Sequence, residues 1–426
     1  MIYVGLLGCG TVGSGVVKVL QKNREAIARK VGEEVVLKKV LERYPENALK
    51  LGIAPEQVVS DIEDIVNDDD ISIVIELIGG TKIARDFIKL AITHGKHIVT
   101  ANKDLIASYG KEIFELAEQH HVDFYFEASV AGGIPILLPM KQSLAANEVS
   151  EVIGILNGTT NYILTKMSME GSDYAEVLAE AQALGYAEAD PTSDVEGLDA
   201  GRKVAILASI AFNSRVTFDD VHCEGISKIQ AVDISIADQM GYVIKLLGIA
   251  KKTDGKILAC VHPTFVPKDH PLATVNDVFN AVFYTGDAVG DVMFFGRGAG
   301  QLPTASSVVG DVMEISRNIR MGSVERIGCT CYEEIPMQDI LEVENEFYIR
   351  MNVTDEPGVL ACIAGAFGKH NVSLLSVVQE ATVDEAALLV LITHSVKERN
   401  LRAALQELEG MDIVKSIGNV IRVYKK

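Results

Sequence analysis

The chain has 426 residues, too many for one hydrophobic core, so two or three domains are expected. A composition 48% hydrophobic and 23% charged excludes disorder. The formal charge of −20 argues against nucleic acid or an anionic membrane as partner, although a small anionic ligand on local donors stays open.

The first 130 residues alternate apolar runs with amphipathic stretches. Strands are predicted at Ile2–Leu7, Val35–Leu41, Ile71–Ile78, His97–Ala101 and Phe124–Ala128, and helices at Thr11–Lys30, Lys82–His94 and Tyr109–His120. That order means βαβ units and a parallel sheet with helices on both faces, a doubly wound Rossmann-like domain. The N-terminus carries no basic region or small-residue cleavage site, and no apolar run reaches the roughly 20 residues that span a bilayer, so a cytoplasmic protein is expected. An α+β region follows. It has a strand at Val149–Leu156, helices at Thr160–Met169, Tyr174–Leu184, Leu198–Phe212 and near Ile229–Gln239, and strands at Ile257–Val266 and Val292–Phe295. A helix from Thr304 to about Ile319 is expected to pack back on the first domain. Glu333 to Glu346 is acidic and irregular, the pattern of a linker. The last 80 or so residues read strand, helix, strand, strand, helix, strand, the ferredoxin-like βαββαβ order. The boundaries expected are 1–131 with about 303–325 for the doubly wound domain, 132–302 for the α+β substrate domain, and 346–426 for the βαββαβ unit.

Gly8-Cys9-Gly10-Thr11-Val12-Gly13 fits G-x-G-x-x-G between a strand and a helix, where the pattern means dinucleotide binding. Gly8 permits the tight turn, Gly10 the approach of a pyrophosphate, and Gly13 close helix–strand packing. The helix N-terminus, at Thr11 and Val12, offers N–H groups to phosphate. At the end of the second strand, Arg43 favours the 2′-phosphate of NADP and Glu42 would serve NAD; Arg43 tips the expectation to NADP. Lys103 ends a predicted parallel strand at the ligand-binding edge. It is either a solvated loop lysine or a group for the nicotinamide pocket, the substrate or proton transfer.

From Gly185 to Lys203 five carboxylates crowd 12 residues ahead of a helix. Asp199 and Lys203 are four apart, on a face that continues into Ile206, Leu207 and Ile210, so Lys203 lies toward the core. Such a lysine is either half of a surface ion pair or a tuned proton donor to a carbonyl that accepts hydride. Glu188 and Asp199, supported by Asp194 and Asp190, are candidates to hold a substrate ammonium. Glu127, with the carbonyls of the Gly-rich run after it, could bind a hard monovalent cation, or the run is an interdomain turn. Cys329 and Cys331 form a lone C-x-C without a second ligand pair, and reduced thiols are expected.

The chain resembles the homoserine dehydrogenases. The resemblance rests on the glycine motif, Glu76-Leu77-Ile78-Gly79-Gly80, Val99-Thr100-Ala101-Asn102-Lys103, Glu127-Ala128-Ser129-Val130 with Gly132-Gly133-Ile134-Pro135, Asn157-Gly158-Thr159-Thr160-Asn161 and the stretch from Gly185 through Lys203. It implies reduction of L-aspartate 4-semialdehyde to L-homoserine with NAD(P)H, on the way to threonine and methionine. Lys203 matches the family's proton-transferring lysine and Lys103 a second active-site lysine. Glu188 and Asp199 match substrate-holding residues, and Gly185 and Gly300 cofactor-pocket glycines. Glu127 with the carbonyls of Val130, Gly132 and Ile134 matches a sodium-type site. The C-terminal unit resembles an ACT domain: Asp355, Pro357, Gly358, Val359 and, after the helix, Asn371 match its effector turn. The implied effector is L-threonine, and the implied assembly a homodimer or homotetramer. The alternative is a non-catalytic amino-acid sensor on the same fold.

Overall fold

The computed structural model describes residues 1–381 and 386–425. The strands are β1 (Ile2–Leu7), β2 (Val35–Leu41), β3 (Val58–Val59), β4 (Ile71–Glu76), β5 (His97–Thr100), β6 (Phe124–Tyr125), β7 (Val149–Ile155), β8 (His222–Cys223), β9 (Tyr242–Thr253), β10 (Lys256–Pro267), β11 (Phe279–Gly286), β12 (Gly290–Arg297), β13 (Glu344–Thr354), β14 (Leu374–Ala381), β15 (Ala386–Thr393), β16 (Val396–Lys397) and β17 (Val414–Val423). The first six form one parallel sheet in the order β3-β2-β1-β4-β5-β6. That order reverses between β1 and β4, the switch point where such sheets open a ligand crevice beyond their strand ends.

The β1, β4 and β5 runs are buried on both faces because helices cover both sides of the sheet. One cover is the Thr11–Lys22 helix. Another is the Gln301–Met321 helix, which packs Ala305, Val308, Val312 and Ile315 into the same cluster as Val4, Val16 and Ile73, so it does return to the first sheet. The contact is close: a Cβ at Gly15 would stand 2.4 Å from the Gln301 carbonyl oxygen. The predicted Thr11–Lys30 helix is two helices, broken at Asn23.

A second sheet runs β12-β11-β7-β9-β10-β17-β13-β15-β14. Its last four strands, with the Val359–Lys369 and Glu398–Glu409 helices, are the ferredoxin-like unit. This unit is fused to the middle region, since β17 pairs in parallel with β10 through Thr264–Arg422 and Phe265–Val423. Phe265 stacks on Tyr348 with ring centroids 4.7 Å apart. Nor is the acidic stretch before it a free linker. Glu333 N–H donates to the Asn213 carbonyl, Ile257 N–H to that of Pro336, and Gln338 N–H to that of Ile257. These bonds bind it to the middle region along its length.

His262, on β10, is buried beside the Arg422–Glu224 ion pair, and burial with the Arg422 cation holds its pKa down to about 3. Below its ordinary pKa of about 6.5 the unfolded chain takes up a proton that the folded chain refuses. Stability therefore falls as pH drops from about 6.5 toward 3, by up to ~1.4 kcal/mol per pH unit from this group. His262→Gln is expected to flatten the fall of Tm between pH 6.5 and 4. Parallel curves for the two proteins would assign the acid loss to other groups.

Candidate active site

The glycine turn after β1 is shaped for a phosphate group. Gly8 has φ +91°, and its N–H donates to the Leu41 carbonyl. A Cβ at Gly13 would lie 2.1 Å from the Gly8 carbonyl oxygen, whereas the Cβ position of Gly10 has no heavy atom within 4 Å. Gly10 is the N-cap of the Thr11–Lys22 helix without a side-chain cap, so Thr11 and Val12 offer backbone donors. Gly300, φ +125°, starts the Gln301–Met321 helix beside this turn. These residues fit a dinucleotide.

At the end of β2 the two predicted discriminators differ. The Glu42 carboxylate turns inward and accepts from Cys9 N–H at 2.6 Å and Tyr44 N–H at 3.0 Å. Arg43 is exposed, its guanidinium 5.7 Å from the Tyr44 ring centroid. Glu42 thus shapes the loop, and Arg43 is the side chain presented outward.

Lys103 is not in a loop but opens the Lys103–Gln119 helix, which starts six residues earlier than its periodicity predicts. Asn102 caps it, accepting from Leu105 N–H at 3.1 Å and donating to the Gly80 carbonyl at 2.6 Å. Thr100 accepts from Asn102 N–H and donates to the fully buried Glu76, which also accepts from the Ile78 and Gly79 N–H groups. This network fixes where Lys103 leaves the sheet.

From the second layer comes the Leu198–Ala211 helix, with Asp199 in its first turn and Lys203 one turn on. Lys203 Nζ donates at 2.6 Å to Asp199 Oδ2 and at 2.6 Å to the Leu156 carbonyl. Lys103 Nζ stands 3.3 Å from Asp199 Oδ1. One carboxylate therefore joins two lysines from two layers, one 11% and the other 31% exposed. Burial raises the Asp199 pKa, but the Lys203 and Lys103 cations outweigh it and hold the group at about 2. The carboxylate is charged at any working pH.

Asn157 was not singled out from sequence as a site residue, yet its amide donates to Asp194 Oδ1 at 2.7 Å and Asp199 Oδ2 at 3.0 Å. It also caps the Gly158–Glu170 helix through Thr160 N–H. The N-cap pattern of Asn157 before Gly158-Thr159-Thr160 was the available signal. Burial, and next to it the Asp199 charge, raise the Asp194 pKa against the Asn157 hydrogen bond. Gly185 and Glu188 sit on an exposed loop, pinned by Thr159 Oγ1 to the Tyr186 carbonyl and by the Gln182 amide to the Glu188 carbonyl. The Glu188 side chain points into no bond with the lysine pair.

The Glu127 carboxylate also has backbone partners. It accepts the backbone N–H groups of Ile136, Leu137 and Leu138 at the start of a short helix. Burial still raises its pKa. What Glu127 would offer a cation is a remaining lone pair, so the carbonyls of Val130, Gly132 and Ile134 would be the principal ligands. The turn that bears them is tight, with φ +54° at Ala131 and +46° at Gly132.

In the ferredoxin-like unit, Gly358 has φ +94° and leads into the helix, with Val359 buried behind it. Asp355 accepts from the Gln379 amide at 3.1 Å, and Asn371, φ +58°, ends the helix.

Three family models match: the homoserine dehydrogenase NAD-binding domain over residues 8–127, homoserine dehydrogenase over 135–313, and the ACT domain over 347–411. A homoserine dehydrogenase of Synechocystis sp. is 48% identical, covering 99% of each chain. The chain belongs to the homoserine dehydrogenase family. The Bacillus subtilis homoserine dehydrogenase is 43% identical over 99% of this chain and 98% of its own. The solved homoserine dehydrogenase of Thiobacillus denitrificans superposes with a TM-score of 0.94 at 40% identity, over 100% of this chain and 98% of that one. A hyperthermophilic archaeal homoserine dehydrogenase in complex with NADPH aligns over 74% of this chain and 97% of its own, with a TM-score of 0.63 at 26% identity. As a homoserine dehydrogenase, the protein is an oxidoreductase with a nicotinamide-binding domain. No helix among the described residues is long and apolar enough to cross a membrane.

Proposed function

We propose that Lys203 is the proton donor in the reversible reduction of L-aspartate 4-semialdehyde to L-homoserine, with NADPH preferred over NADH. The carrying observation is the convergence of Lys203, Lys103 and Asp199 at the ligand-binding edge of the dinucleotide sheet. The nicotinamide, when bound, supplies the hydride. Lys203, held between Asp199 and the Leu156 carbonyl, gives its proton to the substrate oxygen and recovers it in the reverse direction. Lys103 polarises the same oxygen. Asp194 and Asp199, with Glu188 from its exposed loop, hold the substrate ammonium.

The cofactor lies across Gly8, Gly10, Thr11, Val12 and Gly13, with Gly185 and Gly300 at its flanks. Arg43 meets the 2′-phosphate. A monovalent cation, sodium in type, sits on the carbonyls of Val130, Gly132 and Ile134 beside Glu127. The ACT unit from about residue 346 binds L-threonine at Asp355, Pro357, Gly358, Val359 and Asn371, giving feedback on threonine and methionine synthesis in the cytoplasm. The dinucleotide unit is 1–131 with about 303–325, and the substrate unit 132–302. The protein assembles as a homodimer or homotetramer. Support comes from the two outer strands of the second sheet, which expose Met293 and Phe295 on β12 and Leu375, Val377 and Val378 on β14.

The test is L-homoserine oxidation followed at 340 nm with NADP⁺ and NAD⁺, with and without sodium chloride and L-threonine. Arg43→Ala is expected to raise KM for NADP⁺ by about tenfold and to leave NAD⁺ nearly unchanged. Equal changes for both cofactors would remove Arg43 from the 2′-phosphate.

A further inference from the structure

The C-x-C pair lies outside the reaction centre, in the segment that follows the Gln301–Met321 helix. Both cysteines line one small cavity of about 20 Å³ together with Lys141, Arg215, Phe114 and Phe126. Arg215 Nη2 donates to Cys329 Sγ at 3.2 Å, and the Cys331 thiol points at the Ser209 carbonyl at 3.7 Å. Lys141 Nζ donates to the Gly328 carbonyl at 3.2 Å, one residue from Cys329. Cys329 is exposed and Cys331 half-buried. One accessible sulfur is therefore flanked by a guanidinium, an ammonium and a second thiol. A thiolate is both favoured and reachable in such surroundings. The neighbouring Cys331 thiol comes first among the causes. With Arg215 and Lys141 it outweighs burial and brings the Cys329 thiol down to about 5, while the Cys331 thiol is pushed up. Elsewhere, burial raises the thiols of Cys9, Cys223 and Cys260.

We propose that Cys329 and Cys331 form a redox-active dithiol that a hydroperoxide converts to an intramolecular disulfide, with Cys329 as the attacking sulfur and Cys331 as the resolving one. In the first step the Cys329 thiolate attacks the outer peroxide oxygen. An S–O bond forms as the O–O bond breaks, the sulfur gives up two electrons, and the leaving oxygen takes a proton and departs as an alcohol or water. The cavity holds about one water, which is the room a sulfenic oxygen needs. In the second step Cys331 sulfur displaces that oxygen, which leaves as water with the thiol proton, and the S–S bond closes. A disulfide between residues two apart closes a short ring. Strain of that kind makes the bond easy to reduce, so the modification reverses with ordinary thiols.

The experiment treats the intact enzyme with hydrogen peroxide at neutral pH, blocks remaining thiols with N-ethylmaleimide and reads the peptides by mass spectrometry. The peptide holding both cysteines is expected unblocked and lighter by about two hydrogens, and restored by dithiothreitol. Cys331→Ser is expected to stop at a sulfenic acid on Cys329 that dimedone traps. Arg215→Gln is expected to slow Cys329 oxidation by about tenfold. The inference is overturned if Cys329 in the folded enzyme reacts no faster than in the unfolded chain. It is overturned too if the wild-type product is a sulfenic acid with Cys331 still free.

Discussion

Lys203→Ala is expected to lower kcat for L-homoserine oxidation by about a thousandfold while the Kd for NADPH stays within about threefold. The alanine removes the ammonium that Asp199 and the Leu156 carbonyl hold in place, and with it the proposed proton donor. A positioned acid contributes roughly 10²- to 10⁴-fold to such a step. The glycine turn belongs to a different layer, so dinucleotide affinity is a control for folding. Activity within about tenfold of wild type would place the proton transfer elsewhere, with Lys103 next in line.

The largest loss of stability is expected from Arg350→Met. Asp233 is fully buried and accepts from Arg350 Nε at 2.7 Å, Tyr348 Oη at 2.9 Å, Asn419 Nδ2 at 3.1 Å and its own helix's Gln230 N–H at 3.0 Å. Arg350, on β13, is its only cation in that set, and the pair spans the junction of the ACT unit and the middle region. Methionine leaves a buried carboxylate without its counter-charge, at a cost of about 3–5 kcal/mol. In denaturant unfolding the midpoint should drop accordingly, and Asp233→Asn added to Arg350→Met should recover a large part, since the isolated charge is then gone. A single variant within about 1 kcal/mol of wild type would mean that water reaches Asp233.

Much of the first sheet was legible because β1, β2, β4 and β5 are apolar runs of strand length between helical periods. Two strands of the second sheet, β9 and β11, were not foreseen. Both are buried on both faces for most of their length, so neither shows alternation, and β9 carries the buried Lys245 and Gly248 in mid-strand. The acidic stretch after residue 333 reads as a spacer by composition. Its backbone bonds to Asn213 and Ile257 depend on chain neighbours about 80 to 120 residues away. The fusion of the ACT sheet through β17 and β10 has the same origin, a two-residue parallel register with no local signal.

Within the site, the Asp199–Lys203 pair was legible as an i,i+4 spacing on an apolar helix face. The reach of Lys103 to the same carboxylate was not, because it needs two layers to meet. Glu127 is a similar case. A carboxylate before a glycine run reads as a cation ligand, and the three backbone donors that the fold also brings to it carry no local signal.

The account turns on Asp199 as the common anchor of both lysines, and the most direct measurement is the kcat of Asp199→Asn for L-homoserine oxidation at 340 nm, with NADPH affinity as the folding control. Both lysines remain in that variant, yet Lys203 loses the carboxylate it donates to, and Lys103 keeps only Asp104, 4.0 Å away. The expected result is a fall of about a hundredfold or more with cofactor binding retained. Activity within about twofold of wild type would contradict the assignment of this cluster as the reaction centre.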